Sequence, residues 1–452
     1  MWMVNSMKKL KGKKQILLYA ISGLGVNMLN LIVGTYLCDA LMVEGFSANV
    51  ENWTYFNKTL IVAAVWSTMV FLAKILDGVI DLPFAAWTDN LKTKWGKRRP
   101  AILIGLVPMV IAYVLFLFPL DKSGASILNT IYLGVVLCIF YAFYTLTMVT
   151  YYATFSEIVE NDKDRVLLSN FKSVFDVVYF VLGYALIPMM IGSTNIRIIA
   201  FIFLPLVLTM LIPLFMIKEK STLDKDMPDQ EKVKMVGIVE SVKYAAKNKS
   251  FMIWMGIYAV MQFGVQMFLS GQNVYLSGVG EFQGWQITVL NALSFAPVPF
   301  TLILYNKIIN KKGFRTAYRF TLAMFTVGMC VMTLTNSNWI SDSTVRFIIG
   351  IVASLICSFA IGSFFSIGYI VPSFLANKEE KETGVSHPAM YFAIQGLVGG
   401  VATGISTGLI WVNLKDSGNT WLMGVIVALG CIATLVLTLF MPKSLNDVGK
   451  VE

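Results

Sequence analysis

Apolar runs long enough to cross a bilayer recur along almost the whole of this chain. A membrane-spanning helix needs about 20 mainly apolar residues, because each residue advances the helix by about 1.5 Å. The chain has room for about twelve such helices, and the connections between them are too short for a separate catalytic domain. The sequence therefore predicts an all-α membrane protein. The predicted spans are roughly 15–40, 60–88, 100–119, 127–155, 171–193, 196–217, 251–277, 286–305, 317–337, 344–372, 386–411 and 420–441.

Composition and charge support a lipid bilayer as the solvent of this chain. Hydrophobic residues make up 57% of it and charged residues 14%, whereas a soluble domain is about 25% charged. The net charge of +10 comes from short loops between apolar runs, so membrane topology explains it and we expect no nucleic-acid partner. The five cysteines stand alone, without the spacing of a disulfide framework or a zinc site.

The distribution of lysine and arginine predicts the orientation of the chain. Basic residues cluster before the first span and after the second and eighth spans, whereas the alternate loops carry one each, at Lys58, Lys122, Arg197, Arg346 and Lys415. Because positive residues favour the cytoplasmic side, we expect the N-terminus there. An even number of spans returns the C-terminus to the same side. We expect a multi-pass protein of the plasma (inner) membrane.

The longest hydrophilic segment divides the predicted spans into six and six. We predict a cytoplasmic N-terminal segment (1–14), a six-helix bundle (15–217), a cytoplasmic middle loop (218–250), a second six-helix bundle (251–441) and a cytoplasmic tail (442–452). The loop DNLKTKWGKRRP after span 2 has a weaker counterpart, NKIINKKGFR, after span 8. Parallel six-helix repeats with a cavity between them are typical of one large transporter architecture.

The second predicted span carries three charged residues on one face. Lys74, Asp77 and Asp81 are spaced i, i+3 and i+7. A charge at mid-bilayer costs about 2.5–3.5 kcal/mol on insertion scales, so such residues normally face a water-filled cavity or a partner. Two carboxylates one turn apart repel each other unless a proton or cation joins them, which favours a proton or sodium site. The alternative is a buried Lys74–Asp77 ion pair, with Asp81 reaching water or backbone.

Two segments carry a family resemblance. AKILDGVIDLPFAAWTDNLKTKWGKRRPAILIG (73–105) and YTLTMVTYYATFSEIVENDKDRVLLSNFK (144–172) resemble the glycoside–pentoside–hexuronide:cation symporter family of the major facilitator superfamily. The resemblance implies the major facilitator architecture and a coupling-cation site at Asp77, Asp81 and Thr145. The family's helix-4 aspartate is replaced by Met148, so the choice between H+ and Na+ stays open.

The family's sugar-binding residues match less well. Its helix-1 aspartate corresponds to Asn27, its helix-5 arginine is best matched by Lys172, and its helix-11 lysine is missing. An amide still bonds hydroxyl groups, but these changes argue against carrying over galactoside recognition. Lys172 has an alternative role as the i, i+4 partner of Asp176.

Other polar residues of the predicted spans are candidates for a solute pocket. Aromatic rings often pack against sugars, and amides bond their hydroxyl groups, although each such residue also serves helix packing. With Asn27, Lys74 and Lys172, the substrate candidates are Tyr144, Tyr151, Tyr152, Gln262 and Gln395. A polar pocket walled by these groups would favour a sugar-like solute, and apolar walls a hydrophobic one.

The loop after the second span is a candidate gate. We expect Asp89 to pair with a basic residue across the cytoplasmic surface in outward-facing states, with Lys97, Arg98 and Arg99 in the same cluster. The alternative is a cluster that sets topology and makes no specific bonds.

The function predicted from these features is secondary active transport. We expect cation-coupled symport of a small polar solute, a sugar, glycoside or uronide, by alternating access. The alternatives are an uncoupled facilitator or exporter and a carrier of a lipid-like amphipathic solute. No nucleophile with a base, metal cluster or P-loop is visible, so we expect neither an enzyme nor a cofactor. The expected partners are the solute, H+ or Na+, and the bilayer.

Overall fold

The computed structural model describes residues 9–159, 162–223, 247–383 and 388–447, and these form helices and no strand. Within this part of the chain, eleven helices are long and apolar enough to cross a membrane. They are α1 (Lys13–Leu41), α2 (Ala63–Thr88), α3 (Arg98–Phe116), α4 (Ile127–Phe155), α5 (Val174–Ile191), α6 (Ile196–Met216), α7 (Lys249–Val279), α8 (Gly284–Lys312), α10 (Ser343–Phe364), α11 (Ile394–Asp416) and α12 (Leu422–Phe440).

The remaining long helix, α9 (Phe314–Thr333), lies where we predicted the ninth span. Arg315 and Arg319 in its first turns lower its hydropathy, and it is not among the eleven apolar helices. It begins directly after Gly313, whose φ of 82° is readily adopted by glycine and turns the chain out of α8. The all-helical membrane fold is confirmed, and the twelfth span stays a prediction.

Large apolar side chains are exposed along the outer faces of the helices. Phe215, Phe300 and Leu439 are among them. A patch of this kind on a soluble protein would mark an interface. On helices that are long enough to cross a bilayer, the same surface is the one that lipid covers.

Among the described residues, four of the long helices contain a π-helical turn. These turns lie at Ile32–Leu37 in α1, Leu182–Leu186 in α5, Tyr275–Val279 in α7 and Gly404–Trp411 in α11. A π turn adds a residue to the helical turn and often occurs at functional sites. The first and fifth long helices before residues 218–250 and the first and fifth after them therefore share this irregularity.

A row of glycines brings α11 against α2. A Cβ atom on Gly400 would lie 2.8 Å from the carbonyl oxygen of Lys74, and one on Gly408 would lie 2.6 Å from the amide nitrogen of Phe71. A Cβ atom on Gly78 of α2 would in turn lie 2.8 Å from the carbonyl oxygen of Gly396. Small residues permit this close approach of two helix backbones in a membrane. The charged face of α2 is thereby fixed beside the second half of the chain.

Candidate functional site

A cavity of about 180 Å³ lies between helices from both halves of the chain. Its lining comes from α1, α2, α4, α5, α7 and α11, and it includes the π turns of α1, α5 and α11. The polar lining residues include Asn27, Asn30, Lys74, Tyr141, Gln266 and Ser270. Apolar side chains, among them Leu31, Trp66 and Val70, form the rest of the lining. The walls are therefore mixed, with polar groups on several sides.

Lys74 lies at this cavity and not in a close ion pair. Its Nζ is 3.7 Å from the centroid of the Tyr141 ring, a cation–π contact. Within the described part of the chain, no carboxylate oxygen lies within 4.0 Å of this Nζ. The structure thus lacks the tight Lys74–Asp77 ion pair that was the alternative interpretation of this helix.

The predicted cation residues Asp77 and Thr145 are in contact. The Thr145 hydroxyl donates a hydrogen bond to Asp77 Oδ1 at 2.5 Å, which joins α4 to α2. Asp81 lies one turn further along, and its Oδ2 is 3.2 Å from the place of a Cβ on Gly396 of α11. The glycine therefore leaves space for the carboxylate. Two carboxylates and a hydroxyl lie near each other in a membrane-spanning region. Their oxygen atoms are suitable ligands for a hard cation, and the carboxylates can also bind a proton.

Of the predicted substrate residues of α1 and α4, some lie at the cavity and others lie away from it. Asn27 is buried, lines the cavity and accepts a hydrogen bond from the Tyr144 hydroxyl at 3.1 Å. Tyr151 does not line the cavity, and its hydroxyl donates to the carbonyl of Tyr19 at 2.9 Å, so it packs α4 on α1. Tyr152 is 39% exposed and lies beside Lys172.

The other predicted substrate residues lie away from the cavity lining. Lys172 forms an ion pair with Asp176, the i, i+4 arrangement named as its alternative. The buried Gln395 accepts a hydrogen bond from the indole of Trp254 at 3.3 Å. Gln262 is half-buried on α7, whereas Gln266, one turn later on the same helix, does line the cavity.

Three of the predicted gating residues, Lys97, Arg98 and Arg99, lie at the start of α3. The backbone amides of Arg98 and Arg99 donate to Glu219 Oε2 at 2.9 and 3.4 Å. The side chain of Asp89 is outside the described residues, so its pairing stays a prediction, as does a gating role for Lys97. The loop is nevertheless tied to the segment after α6, because Thr93 and Thr222 are hydrogen-bonded through their backbones at 3.0 Å.

A buried charge cluster that we did not predict joins α1 to α11. Lys415, predicted to lie in a loop, has a side chain that is 1% exposed, and its Nζ is 3.7 Å from Asp39 Oδ1. It also donates to the backbone carbonyls of Asp39 and Met42. The Asp39 carboxylate accepts from the Trp411 indole at 3.0 Å. Asp39 and Trp411 line the cavity, so this cluster lies beside it.

A second network of hydrogen bonds joins α5 to α7 and α8. The Asn291 amide donates to the carbonyl of Tyr184 at 2.6 Å and to Asn273 Oδ1 at 2.8 Å, and it accepts from Gln272 at 2.6 Å. The Tyr184 hydroxyl donates to the carbonyl of Leu269 at 2.9 Å. Tyr184 also lines the cavity, so the two halves are hydrogen-bonded at its edge. In the sequence, this network is indicated by side-chain amides that lie within apolar runs, because such groups need hydrogen-bond partners.

The whole chain can be compared with known proteins. A family model described as MFS/sugar transport protein matches residues 18–442. The chain belongs to this family. Membership of the MFS/sugar transport family confirms the resemblance based on the α2–α3 and α4 segments. The relatives are membrane transporters and not enzymes, as the sequence predicted.

Curated relatives match this MFS/sugar transport protein over short segments. The "Glucuronide carrier protein homolog" of Escherichia coli (strain K12) is 27% identical over 123 residues, 26% of this chain and 26% of that protein. The lactose permease of Lactobacillus helveticus is 27% identical over 189 residues, 40% of this chain and 28% of that protein. The alignments thus span about a quarter of the length of these relatives.

Solved structures support the fold of the whole chain. The crystal structure of the nucleoside transporter NupG superposes with a TM-score of 0.66 at 13% identity, covering 95% of this chain and 99% of that chain. A POT family transporter in complex with a thioalcohol-conjugated peptide gives a TM-score of 0.60 at 13% identity, covering 96% of each chain. At these identities the likeness shows the fold alone.

Proposed function

We propose that this MFS/sugar transport protein is a symporter that couples H+ or Na+ to the movement of a small polar solute. The solute is a sugar, glycoside or uronide, and the protein lies in the plasma (inner) membrane with both termini cytoplasmic. One observation carries the proposal: a carboxylate pair lies on α2, the helix that also presents Lys74 to a cavity with polar groups on several sides, and Asp77 is one turn from Lys74. Solute and cation would therefore act on neighbouring residues of one helix.

The carboxylate pair supports the cation side of the proposal. Asp77 and Asp81 are about 6 Å apart along the helix axis at 1.5 Å per residue. Both side chains are half-buried, and Lys74 forms no close ion pair with them within the described residues. Like charges in such a setting are stabilised when a cation or proton joins them. Thr145 adds a hydroxyl oxygen to the same place.

Alternating access requires that the cavity be closed at one end at a time. At the predicted outer end, Asp39, Trp411 and Lys415 join the two halves. Nearby, the Ser47 hydroxyl donates to the carbonyl of Ser277 at 2.6 Å, and Gly45 lies against Gly278. These contacts support a state that is closed to the outside. Breaking them would let the two halves rock about the solute.

A second candidate function is uncoupled transport on the same fold. Met148 occupies the position of an acidic residue in the resemblance and is buried, 3% exposed, so it adds no charge to the cation region. With two carboxylates instead of three, the field on a cation is weaker. A facilitator or exporter would then move its solute down the gradient.

The two candidates are separated by replacing the carboxylates. A solute is first chosen by a thermal-shift screen of sugars, glycosides and uronides, and its uptake is measured in proteoliposomes with and without H+ and Na+ gradients. We expect Asp77→Asn and Asp81→Asn to lower gradient-driven accumulation to equilibrium while solute exchange across the membrane continues. The exposed Asp342→Asn is the matched control and should accumulate as the wild type does. Full accumulation by the well-folded double variant would contradict coupling at this pair.

A further inference from the structure

The charge of Lys74 is the starting point for the choice of solute. The ammonium group lies at the cavity over the Tyr141 ring, with no carboxylate within 4.0 Å among the described residues. An ammonium group removed from water is stabilised by an anion, and an aromatic face compensates for only part of the lost hydration. The cavity therefore presents a positive charge to whatever enters it.

The other polar groups of the cavity do not cancel this charge. Asn27, Asn30, Gln266 and Ser270 are neutral. Asp39 also reaches the lining, but its carboxylate is bound by the Trp411 indole and lies beside the Lys415 ammonium. The Asp39–Lys415 pair is neutral as a whole, and the positive charge of Lys74 is left.

Hydrogen-bonding groups for hydroxyls lie in the same cavity. Asn30 Oδ1 is buried and accepts no hydrogen bond within the described part of the protein, although a buried acceptor of this kind normally has a donor. Asn27 lies three residues earlier on α1 and also lines the cavity. A hydroxyl group of the solute would supply the missing donor to Asn30.

The volume of the cavity restricts the size of the solute. At about 180 Å³ it is smaller than the range of about 300–1,000 Å³ that is usual for drug-sized ligands. A single polyhydroxylated ring is of the right order, and a disaccharide is too large for this state.

We propose that the cavity binds a single-ring sugar acid, whose carboxylate lies against Lys74 and whose hydroxyls contact Asn27, Asn30 and Gln266. This proposal rests on the symport function and specifies its substrate. It separates the sugar acids from neutral sugars and glycosides, which that function leaves equally open.

The position of Asp77 explains why an anion and a cation would travel together. Asp77 is one turn from Lys74 and supplies the nearest negative charge on that face of α2. A cation bound at Asp77 cancels this charge, so Lys74 attracts a carboxylate more strongly. By linkage, a bound carboxylate favours the cation to the same extent. One monovalent cation and one monoanion then cross without net charge.

The first test compares acids with their neutral counterparts in direct binding. Binding of D-glucuronate, D-galacturonate and methyl β-D-glucuronide to the purified full chain is measured beside D-glucose, D-galactose and methyl β-D-glucoside. D-Glucuronamide serves as a neutral analogue of nearly the same shape. A hydrogen bond to a charged group corresponds to about 10- to 100-fold in affinity, so we expect at least one acid to bind tighter than its neutral counterpart by that factor. Equal affinity for acids and neutral sugars would overturn the proposal.

The second test assigns the preference to Lys74. Lys74→Met should remove the preference for the acid and leave weak binding of the neutral sugar, which shows that the variant is folded. Lys74→Arg should keep the preference because it keeps the charge. Lys122→Met, at a lysine outside the cavity lining, is the matched control. An acid preference that survives in a folded Lys74→Met variant would contradict the assignment.

The third test measures charge movement in transport. Proteoliposomes with an imposed K+ diffusion potential, set by valinomycin, take up the preferred solute under an H+ or Na+ gradient. We expect the initial rate to be unchanged by an inside-negative potential, whereas cotransport of a neutral sugar with a cation would be accelerated. Gradient-driven uptake that favours a neutral sugar and responds to the potential would refute the sugar-acid proposal and leave symport intact. A preference for acids in binding without gradient-driven uptake would refute symport alone.

Discussion

Lys415→Met removes the cation from a buried contact between the two halves of the chain. In the protein Lys415 lies beside the Asp39 carboxylate, and the same carboxylate accepts a hydrogen bond from Trp411. The variant leaves that carboxylate buried at 10% exposure with the indole as its remaining partner in the cluster. Removing one partner of a buried ion pair typically costs about 3–5 kcal/mol.

The size of the expected effect follows from this cost. If the cluster stabilises the state closed at the predicted outer end, a loss of about 3 kcal/mol shifts the equilibrium toward the open state by about 100-fold. Asp39→Asn should have a smaller effect. Lys415 keeps its hydrogen bonds to the backbone carbonyls of residue 39 and Met42, and its Nζ lies 4.5 Å from the centroid of the Phe46 ring. The double variant buries no unpaired charge and should be less perturbed than Lys415→Met alone.

Hydrogen–deuterium exchange of the full chain in nanodiscs measures this shift. Backbone amides exchange through local opening, so those of residues 39–47, 274–280 and 411–418 should exchange up to about 100-fold faster in Lys415→Met. Lys58→Met, at an exposed lysine of the same predicted outer end, should exchange like the wild type. Unchanged exchange in these three segments of a folded Lys415→Met variant would refute the closure role of the cluster.

Two further predictions concern the packing of the helices and their loops. Gly400→Val should lower the thermal unfolding midpoint, with an overpacking cost of about 1–3 kcal/mol, because a Cβ there would lie 2.8 Å from the carbonyl oxygen of Lys74. Gly430→Val, which meets no atom within 4 Å, is its control, and equal midpoints would contradict the close packing. Glu219→Gln should speed tryptic cleavage at Lys92 and Lys94. The Glu219 carboxylate lies at the N-terminus of α3, where a negative charge stabilises the helix by about 1 kcal/mol. Cleavage no faster than in the exposed Glu51→Gln would count against this role of Glu219.

The sequence predicted what depends on a single helix. Length and hydropathy located eleven apolar helices of the described residues. The spacing of Lys74, Asp77 and Asp81 placed these residues on one face of α2. The Thr145–Asp77 contact was reached through the family resemblance, since spacing within one helix carries no information about which helices are neighbours.

What the sequence did not predict depends on pairs that are distant along the chain. Lys415 stood in a polar run at the end of a span and was predicted to lie in a loop, but it is buried because Asp39, 376 residues away, lies beside it. Asp39 itself indicated such a contact in the sequence, because a charge at the end of an apolar run normally has a partner or a function. Asn30 was another such indication, since it shares a helix face with Asn27.

The glutamines of α7 and α11 show that similar sequence contexts lead to different contacts in the structure. Gln262, Gln266 and Gln395 look alike in sequence, as single amides within apolar helices. Gln266 reaches the cavity, whereas Gln395 is bound by the Trp254 indole. The choice between a ligand contact and a packing contact is made by the rotation of each helix against its neighbours, which one helical pattern does not specify.

The glycine row of α11 also restricts entry of a solute between α2 and α11. Where Gly400 and Gly408 lie against the backbone of α2, the two helices leave no gap into which a lipid acyl chain could be inserted from the side. A lipid-like solute entering sideways between α2 and α11 would have to separate backbones that are in direct contact. A water-soluble solute that approaches along the axis of the bundle would not have to separate α2 from α11.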